Sequence, residues 1–81
     1  MKTLNGIIRN DGFVETSDGK LFILPIRGTD NNGFPEVLID ATLVGGKSSF
    51  SRQSIKPLIN MKVEFITNNG EYGYNFKIII Q

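Results

Sequence analysis

The sequence lacks both cysteine and histidine. Without cysteine, no disulfide bond and no thiolate metal site can hold the fold together. Without histidine, the chain has neither the commonest general base nor the commonest zinc ligand of proteins. The eight acidic residues are spread singly and form no pair with the spacing of a metal site or an acid/base couple. We therefore expect a protein that is not an enzyme and that holds no metal or cofactor.

An excess of charge of either sign is also missing, since nine basic residues are balanced by eight acidic ones and the formal net charge is +1. Such a balance excludes the broad basic field of proteins that coat double-stranded nucleic acid. Nucleic-acid affinity would need a local basic patch, with base stacking on aromatic rings supplying much of the energy. No apolar stretch reaches the length of a signal-peptide core or a membrane span. We expect a cytoplasmic protein with no membrane partner.

What the sequence does contain is a series of short runs rich in Ile, Val, Phe and Thr, separated by turns of Gly, Asn and Asp. This pattern is typical of β-strands. A chain of 81 residues has room for one domain, and we interpret residues 1–81 as a single small antiparallel β-barrel of five or six strands. An open meander that pairs its edges with a second copy is the alternative. The predicted strands cover residues 3–9, 13–16, 20–26, 36–44, 61–67 and 74–80.

The last two predicted strands form the clearest element, a β-hairpin around the Asn-Asn-Gly turn at residues 68–70. Apolar and polar side chains alternate along both strands, which is the period of a strand with one buried face. The connector at residues 55–60 has room for one helical turn. The inward face of the hairpin is predicted to hold Val63, Phe65, Tyr74, Phe76 and Ile78.

Three segments carry a more specific pattern. Residues 5–9 (Asn-Gly-Ile-Ile-Arg) lead into residues 12–15 (Gly-Phe-Val-Glu), residues 21–24 (Leu-Phe-Ile-Leu) contain an aromatic ring among branched side chains, and residues 60–66 open the final hairpin. These segments resemble the first strand, the two RNA-binding motifs and the last hairpin of the cold-shock and OB-fold group of small barrels. The resemblance implies such a barrel and the binding of single-stranded RNA or DNA. An SH3-like barrel is the nearest rival fold.

The chain departs from this family at several motif positions. Of the two aromatic residues usual in the first motif only Phe13 is present, and Asp11 stands near the other position. The histidine and second phenylalanine usual in the second motif are replaced by Leu24 and Pro25. Asn60 stands where the family usually has glycine, and asparagine tolerates the left-handed backbone conformation.

Two phenylalanine residues are the strongest candidates for a binding surface. From strand alternation we predict that the side chains of Val14, Leu21 and Ile23 point into the core. The outward side chains are then Phe13, Glu15, Phe22 and Leu24. Two exposed rings on neighbouring strands would form a stacking platform, on which each base contributes about 1–3 kcal/mol. The alternative is that both rings are ordinary core residues.

Basic residues near these strands are candidates for contacts with phosphate groups. Arg9, Lys20 and Lys62 are predicted to flank the platform, and Leu24 and Tyr72 are predicted to extend it. Scattered basic residues also serve simply to keep a surface soluble. The first hypothesis for function is non-enzymatic binding of single-stranded RNA or DNA.

A protein-interaction module is the second hypothesis. The near-neutral charge, the departures from the family motifs and the long segment at residues 28–54 favour it. Such a module would be a small phage or accessory protein that docks on a larger complex or forms a homo-oligomer, with an exposed apolar face as its interface.

Residues 41–48 match a relaxed phosphate-loop pattern, Ala-x-x-x-x-Gly-Lys-Ser. Nucleotide hydrolysis at such a loop requires a following helix and a parallel sheet, and the sequence predicts neither. A bound phosphate or small nucleotide at residues 45–49 is the hypothesis that this segment leaves open.

Overall fold

The computed structural model describes residues 1–41 and 50–79, and this part of the chain is built from β-strands. Its helical structure is a single 3₁₀ turn at Lys56–Leu58, which confirms the helical turn predicted in the connector. Nothing helical in these ranges is long and apolar enough to cross a membrane. The all-β fold is confirmed. The strands are β1 Lys2–Ile8, β2 Phe13–Thr16, β3 Leu21–Ile23, β4 Ile26–Thr29, β5 Pro35–Ile39, β6 Ser51–Ser54, β7 Lys62–Thr67 and β8 Gly73–Ile78.

These strands form two antiparallel sheets, ordered β3-β2-β1-β7-β8 and β4-β5-β6, that together make a barrel-like ring. On one side, β4 continues from β3 around a corner, where the Leu38 N–H donates to the Pro25 carbonyl at 2.9 Å. On the other side, Asp40 forms a parallel bridge with Lys77 on β8. If β3 and β4 are counted as one bent strand, the ring has six members and β6 flanks β5. This count agrees with the predicted barrel of five or six strands.

The corner explains why the predicted strand at residues 20–26 is divided in two. Pro25 has no backbone N–H and restricts the residue before it, so a regular ladder does not continue through it. β6 was absent from the predicted strands because its Ser-Arg-Gln-Ser sequence lacks apolar alternation, and it forms by pairing with β5. The predicted strand at 36–44 is seen as β5, and its residues 42–44 lie outside the described part of the chain.

Turn chemistry fixes the connection between β4 and β5. The Asp30 carboxylate accepts the N–H groups of Asn32 at 2.9 Å and Phe34 at 2.8 Å, while Gly33 takes a positive φ of 86°. The Ser54 hydroxyl donates to the same carboxylate at 2.6 Å. This bond is the main reason that the pKa of Asp30 lies below its ordinary value. The arrangement joins the β4–β5 turn to the end of β6.

Three phenylalanine rings in contact with one another occupy the core, with Phe65 between Phe22 and Phe76. The Phe22 and Phe65 ring centroids are 4.8 Å apart, and those of Phe65 and Phe76 are 4.9 Å apart. Ring pairs at this distance contribute about 0.5–1.5 kcal/mol beyond the area that they bury. Within residues 1–41 and 50–79, the other buried apolar residues are Ile8, Val14, Leu24, Val37, Ile39, Ala41, Ile55, Leu58, Val63 and Ile78. The predicted burial of Val63, Phe65, Phe76 and Ile78 is confirmed.

A bulge in β8 overturns the predicted orientation of one aromatic residue. Glu64 pairs with Lys77, and Ile66 pairs with Tyr74. Between these two pairs β8 contains one residue more than β7, which defines a β-bulge. The extra residue is Asn75, which adopts a positive φ of 56°. The bulge brings Tyr74 to the outer face, where it is exposed. The prediction that Tyr74 packs inside with Phe76 is therefore wrong.

Candidate functional site

The predicted orientation of β3 is wrong, and this changes the candidate site. Phe22 and Leu24 are each only 1% exposed and lie in the core, whereas Leu21 and Ile23 lie outside. Phe13 on β2 does face outward as predicted, but it is half-buried. The structure therefore does not bring Phe13 and Phe22 to one surface, and the predicted pair of stacking rings is absent.

The physical reason is the register of the β2–β3 hairpin. The three-residue turn makes Thr16 the partner of Lys20, with the Thr16 N–H donating to the Lys20 carbonyl at 2.9 Å. Paired residues in an antiparallel ladder point to the same face. The outward Glu15 therefore places its partner Leu21 outward. A slip of one residue would exchange the two faces of β3, as in the sequence-based prediction.

The packing of Phe22 shows how firmly that register is held. Its ring contacts Phe65 inside the barrel at a centroid distance of 4.8 Å. The Lys20 ammonium lies 5.4 Å from the ring centroid, which is a cation–π distance. Phe22 would have to leave the core before its ring met a base, at a cost of about 3–5 kcal/mol, which is typical of losing a buried phenylalanine.

In place of the predicted rings, the outer surface of the β1–β2–β3 meander presents a group of aliphatic side chains. Ile7, Leu21 and Ile23 are 43%, 40% and 46% exposed. Phe13 lies directly beside Ile23 in the ladder, and Glu15 lies between Ile7 and Leu21. We call Ile7, Phe13, Leu21 and Ile23 the apolar face.

The border of the apolar face is partly apolar as well. Ile26, which is also exposed, approaches the β1–β2 turn, and a Cβ placed on Gly12 would lie 3.2 Å from its Cδ1 atom. Lys62 lies opposite Ile7 on β7 and is half-buried. An open groove runs beside this border, and its lining includes Ile7, Arg9, Glu15, Asn60 and Lys62.

Arg9 is the predicted phosphate contact that lies nearest to Phe13, and its charge is balanced in the folded protein. One guanidinium nitrogen lies 2.9 Å from the Asp11 carboxylate, and the other lies 3.4 Å from that of Glu15. With Lys62 at the same border, the two cations and two carboxylates leave this part of the surface without an excess of positive charge. A surface with balanced charge does not attract a phosphate backbone as a basic patch does.

The remaining predicted site residues lie away from the apolar face. Lys20 extends toward the β7–β8 turn, where its Nζ atom lies 3.4 Å from the position of a Cβ on Gly70. Tyr72 follows that turn and is 70% exposed. Lys20 is also close to Asp18, whose pKa is lowered chiefly by the Thr16 hydroxyl and then by the Lys20 backbone N–H. The structure thus places Lys20 and Tyr72 at one end of the barrel and Arg9 and Phe13 at the other.

The outward orientation of Leu21 and Ile23 was not predicted from the sequence, although the length of the β2–β3 turn indicates it. Once Thr16 and Lys20 flank a three-residue turn, every later pair in the ladder is determined. Within the described residues no group of three or more acidic side chains is placed to hold a metal ion. The predicted phosphate-binding segment at residues 45–49 lies outside the described part of the chain.

No protein-family model, curated protein or solved structure matches this chain. The cold-shock and OB-fold resemblance therefore stays a prediction, and the candidate site rests on the geometry of the chain's own residues.

Proposed function

We propose that the protein is a non-catalytic interaction module that binds a partner protein through the apolar face. The observation that carries this proposal is the presence of Ile7, Leu21 and Ile23, with the half-buried Phe13, on the outer surface of three consecutive strands. Single exposed apolar residues are common on soluble proteins, but contiguous groups mark interaction surfaces. The partner would present complementary apolar side chains, because burial of these aliphatic groups would supply most of the binding energy.

The charges around the apolar face support a protein partner over a polyanion. Arg9 is already paired with Asp11 and Glu15, so a partner protein would meet balanced charges among the aliphatic side chains. Protein interfaces combine apolar contacts with hydrogen bonds between polar groups, and these side chains offer both. A nucleic-acid site at the same place would have to break these ion pairs before Arg9 could bind a phosphate group.

The edge of β3 enlarges the surface that a partner protein can use. Lys20 and Leu24 form backbone hydrogen bonds toward β2, and antiparallel alternation then turns the N–H and C=O groups of Leu21 and Ile23 away from β2. Within residues 1–41 and 50–79, β3 is the terminal strand of its sheet. These backbone groups stand beside the apolar face, so a partner that covers its aliphatic side chains also reaches hydrogen-bonding groups.

A peptide-display selection tests this proposal. Peptides selected on the wild-type protein are expected to be rich in apolar residues and to lose several-fold in affinity for the Leu21→Ser/Ile23→Ser variant. The matched control is Phe50→Ser/Tyr72→Ser, which removes two exposed aromatic residues elsewhere and should keep binding. Thermal melting checks that both variants stay folded, and light scattering shows whether a second copy is itself the partner. Selected peptides that bind all three proteins equally would refute the proposal.

Binding of single-stranded RNA or DNA is the second candidate function, and one observation favours it. The exposed Tyr72 ring and the Lys20 ammonium lie near the same turn, beside a groove that Lys2 and Asn69 help to line. Titration with labelled oligonucleotides at low and moderate salt tests this candidate. Binding that weakens with Tyr72→Ala would support this end of the barrel as the site. Binding that weakens with Phe13→Ala would instead contradict the protein-partner assignment of the apolar face.

A further inference from the structure

Three Asn-Gly pairs occur in the chain, at residues 5–6, 32–33 and 69–70. Asn-Gly is the dipeptide in which an asparagine side chain is most easily attacked by the next backbone nitrogen, because glycine has no side chain to hinder the approach. The sequence alone ranks these three pairs equally. Their surroundings in the folded protein differ, and this difference separates them.

The reaction needs only water and base. The backbone nitrogen of glycine loses its proton and bonds to the asparagine Cγ, the bond from Cγ to the side-chain nitrogen breaks, and ammonia leaves. The resulting five-membered imide then adds water, and one of its two C–N bonds breaks. The products are aspartate and isoaspartate, in which the main chain runs through the side-chain carbon. No oxidant or reductant takes part.

Asn5 is held in a conformation that prevents this attack. It lies within β1 opposite Glu64 on β7, and Gly6 pairs with Thr16 on β2 and with Val63 on β7. The backbone around the Gly6 nitrogen therefore stays extended between two neighbouring strands. The Asn5 side chain can reach this nitrogen only if β1 leaves the sheet.

Asn69 is exposed, but both reacting groups are engaged. Its side-chain oxygen accepts the N–H groups of Glu71 at 2.9 Å and Tyr72 at 3.3 Å. The attacking nitrogen, that of Gly70, donates to the Thr67 hydroxyl at 3.0 Å. Thr67 is itself buried at 2% exposure, so this acceptor is fixed in place. Three hydrogen bonds must break before the Asn69 side chain turns toward Gly70.

Asn32 has neither kind of protection, and the structure assigns it as the site at which this protein deamidates and forms isoaspartate. It is exposed in the β4–β5 turn, and its side chain makes no hydrogen bond to any described residue. The Gly33 nitrogen has a single, longer bond, to the Asp30 carbonyl at 3.2 Å. The side chain is thus free to rotate onto that nitrogen without disturbing a strand.

Conversion of Asn32 would damage the turn that carries it. The Asp30 carboxylate accepts N–H groups from both Asn32 and Phe34, on either side of the reacting peptide bond. Isoaspartate lengthens the main chain between these two donors and adds a second negative charge beside Asp30. Both changes weaken the closure of the β4–β5 hairpin, whose residues also bond to Ser54 on β6.

Peptide mapping by mass spectrometry tests this assignment directly. Trypsin places the three pairs in separate peptides, covering residues 3–9, 28–47 and 63–77. The folded protein is incubated in mildly basic buffer and digested, and each peptide is examined for a mass increase of one dalton. Fragmentation locates the change and distinguishes isoaspartate from aspartate. We expect Asn32 to convert several-fold faster than Asn69 and Asn5.

The chain incubated in denaturant is the matched control, because there the three pairs should convert at similar rates. A Thr67→Val variant tests the proposed protection of Asn69, whose conversion should become faster while that of Asn32 stays unchanged. If the folded wild-type protein converts Asn69 or Asn5 as fast as Asn32, the assignment is wrong. It is also wrong if the rate in the folded protein, divided by the rate in denaturant, is no higher for Asn32 than for Asn5 and Asn69.

Discussion

The two sides of residues 21–24, in the β1–β2–β3 meander, have similarly apolar side chains but opposite roles. Phe22 and Leu24 lie in the core, while Leu21 and Ile23, from the same short segment, are nearly half exposed. Composition therefore does not distinguish the faces. The difference arises from which side the remaining strands cover, and the hairpin register decides which residues lie there. The inner face is expected to determine stability, and the outer face is expected to determine binding.

The largest expected effect is that of Phe22→Ala on the inner face. This change leaves a cavity beside Phe65, and such substitutions lower the free energy of unfolding by about 3–5 kcal/mol. The matched control, Ile23→Ala on the outer face, should cost about 1 kcal/mol or less. Chemical denaturation of both variants measures the contrast. Equal losses would mean that the two faces do not differ as described.

A second prediction concerns the inner side of β1, where Gly6 allows β2 to approach closely. A Cβ at this position would overlap the Val14 side chain and lie 2.9 Å from the Glu15 carbonyl oxygen. We expect Gly6→Ala to lower the free energy of unfolding by about 1–3 kcal/mol through overpacking. Asn5→Ala on the outer side of the same strand is the control and should be nearly neutral. A Gly6→Ala protein as stable as the wild type would contradict this close approach.

A smaller effect is expected from the ion pair on the outer face. Arg9 and Glu15 are separated by 3.4 Å and both are well exposed, so water and salt screen their attraction. A double-mutant cycle with Arg9→Ala and Glu15→Ala should give a coupling of less than about 1 kcal/mol. A larger coupling would show that outer-face charges help to hold the fold, which would blur the distinction between the two faces.

The smallest effect concerns pH and the turn that joins β2 to β3. The Thr16 hydroxyl donates to the Asp18 carboxylate and is the main cause of its lowered pKa. A carboxyl group with a lower pKa in the folded state stabilises the protein above its unfolded pKa, which is about 3.9. This contribution is lost as the pH falls from there through the folded pKa. NMR titration should show the pKa of Asp18 rising in Thr16→Val but not in the control Thr3→Val.

The orientation of side chains was easier to predict in the final hairpin than in residues 21–24. In β7, Val63 and Phe65 alternate with outward residues that are mostly polar, so the sequence shows which side chains face inward, and the buried face of this strand is predicted correctly. In residues 21–24 all four side chains are apolar, so the apolar pattern does not show which of them face inward. The length of the β2–β3 turn determines this instead. The composition of the apolar face therefore follows from the register of β2 and β3 and not from the pattern of residue types.

Two asparagine residues with a left-handed backbone differ in how well the sequence predicts them. Asn60 adopts the left-handed conformation predicted for it, with φ of 72°, because asparagine tolerates that region. Asn75 adopts it as well, with φ of 56°, but no turn motif marks it within β8. The resulting bulge, and with it the exposure of Tyr74, follows from the pairing of two complete strands. Such tertiary effects are not visible in a short window of sequence.

The pairing of β1 with β7 has a consequence for how the chain folds in time. Lys2 pairs with Thr67 and Leu4 with Phe65, so the centre of the larger sheet joins residues that are far apart in sequence. The contacts within the β1–β2–β3 meander are local and can form early, but its inner face stays uncovered until β7 pairs with β1. Loop closure of this length slows folding. During that interval Phe22, the largest buried side chain of this face, is exposed to solvent and to other chains.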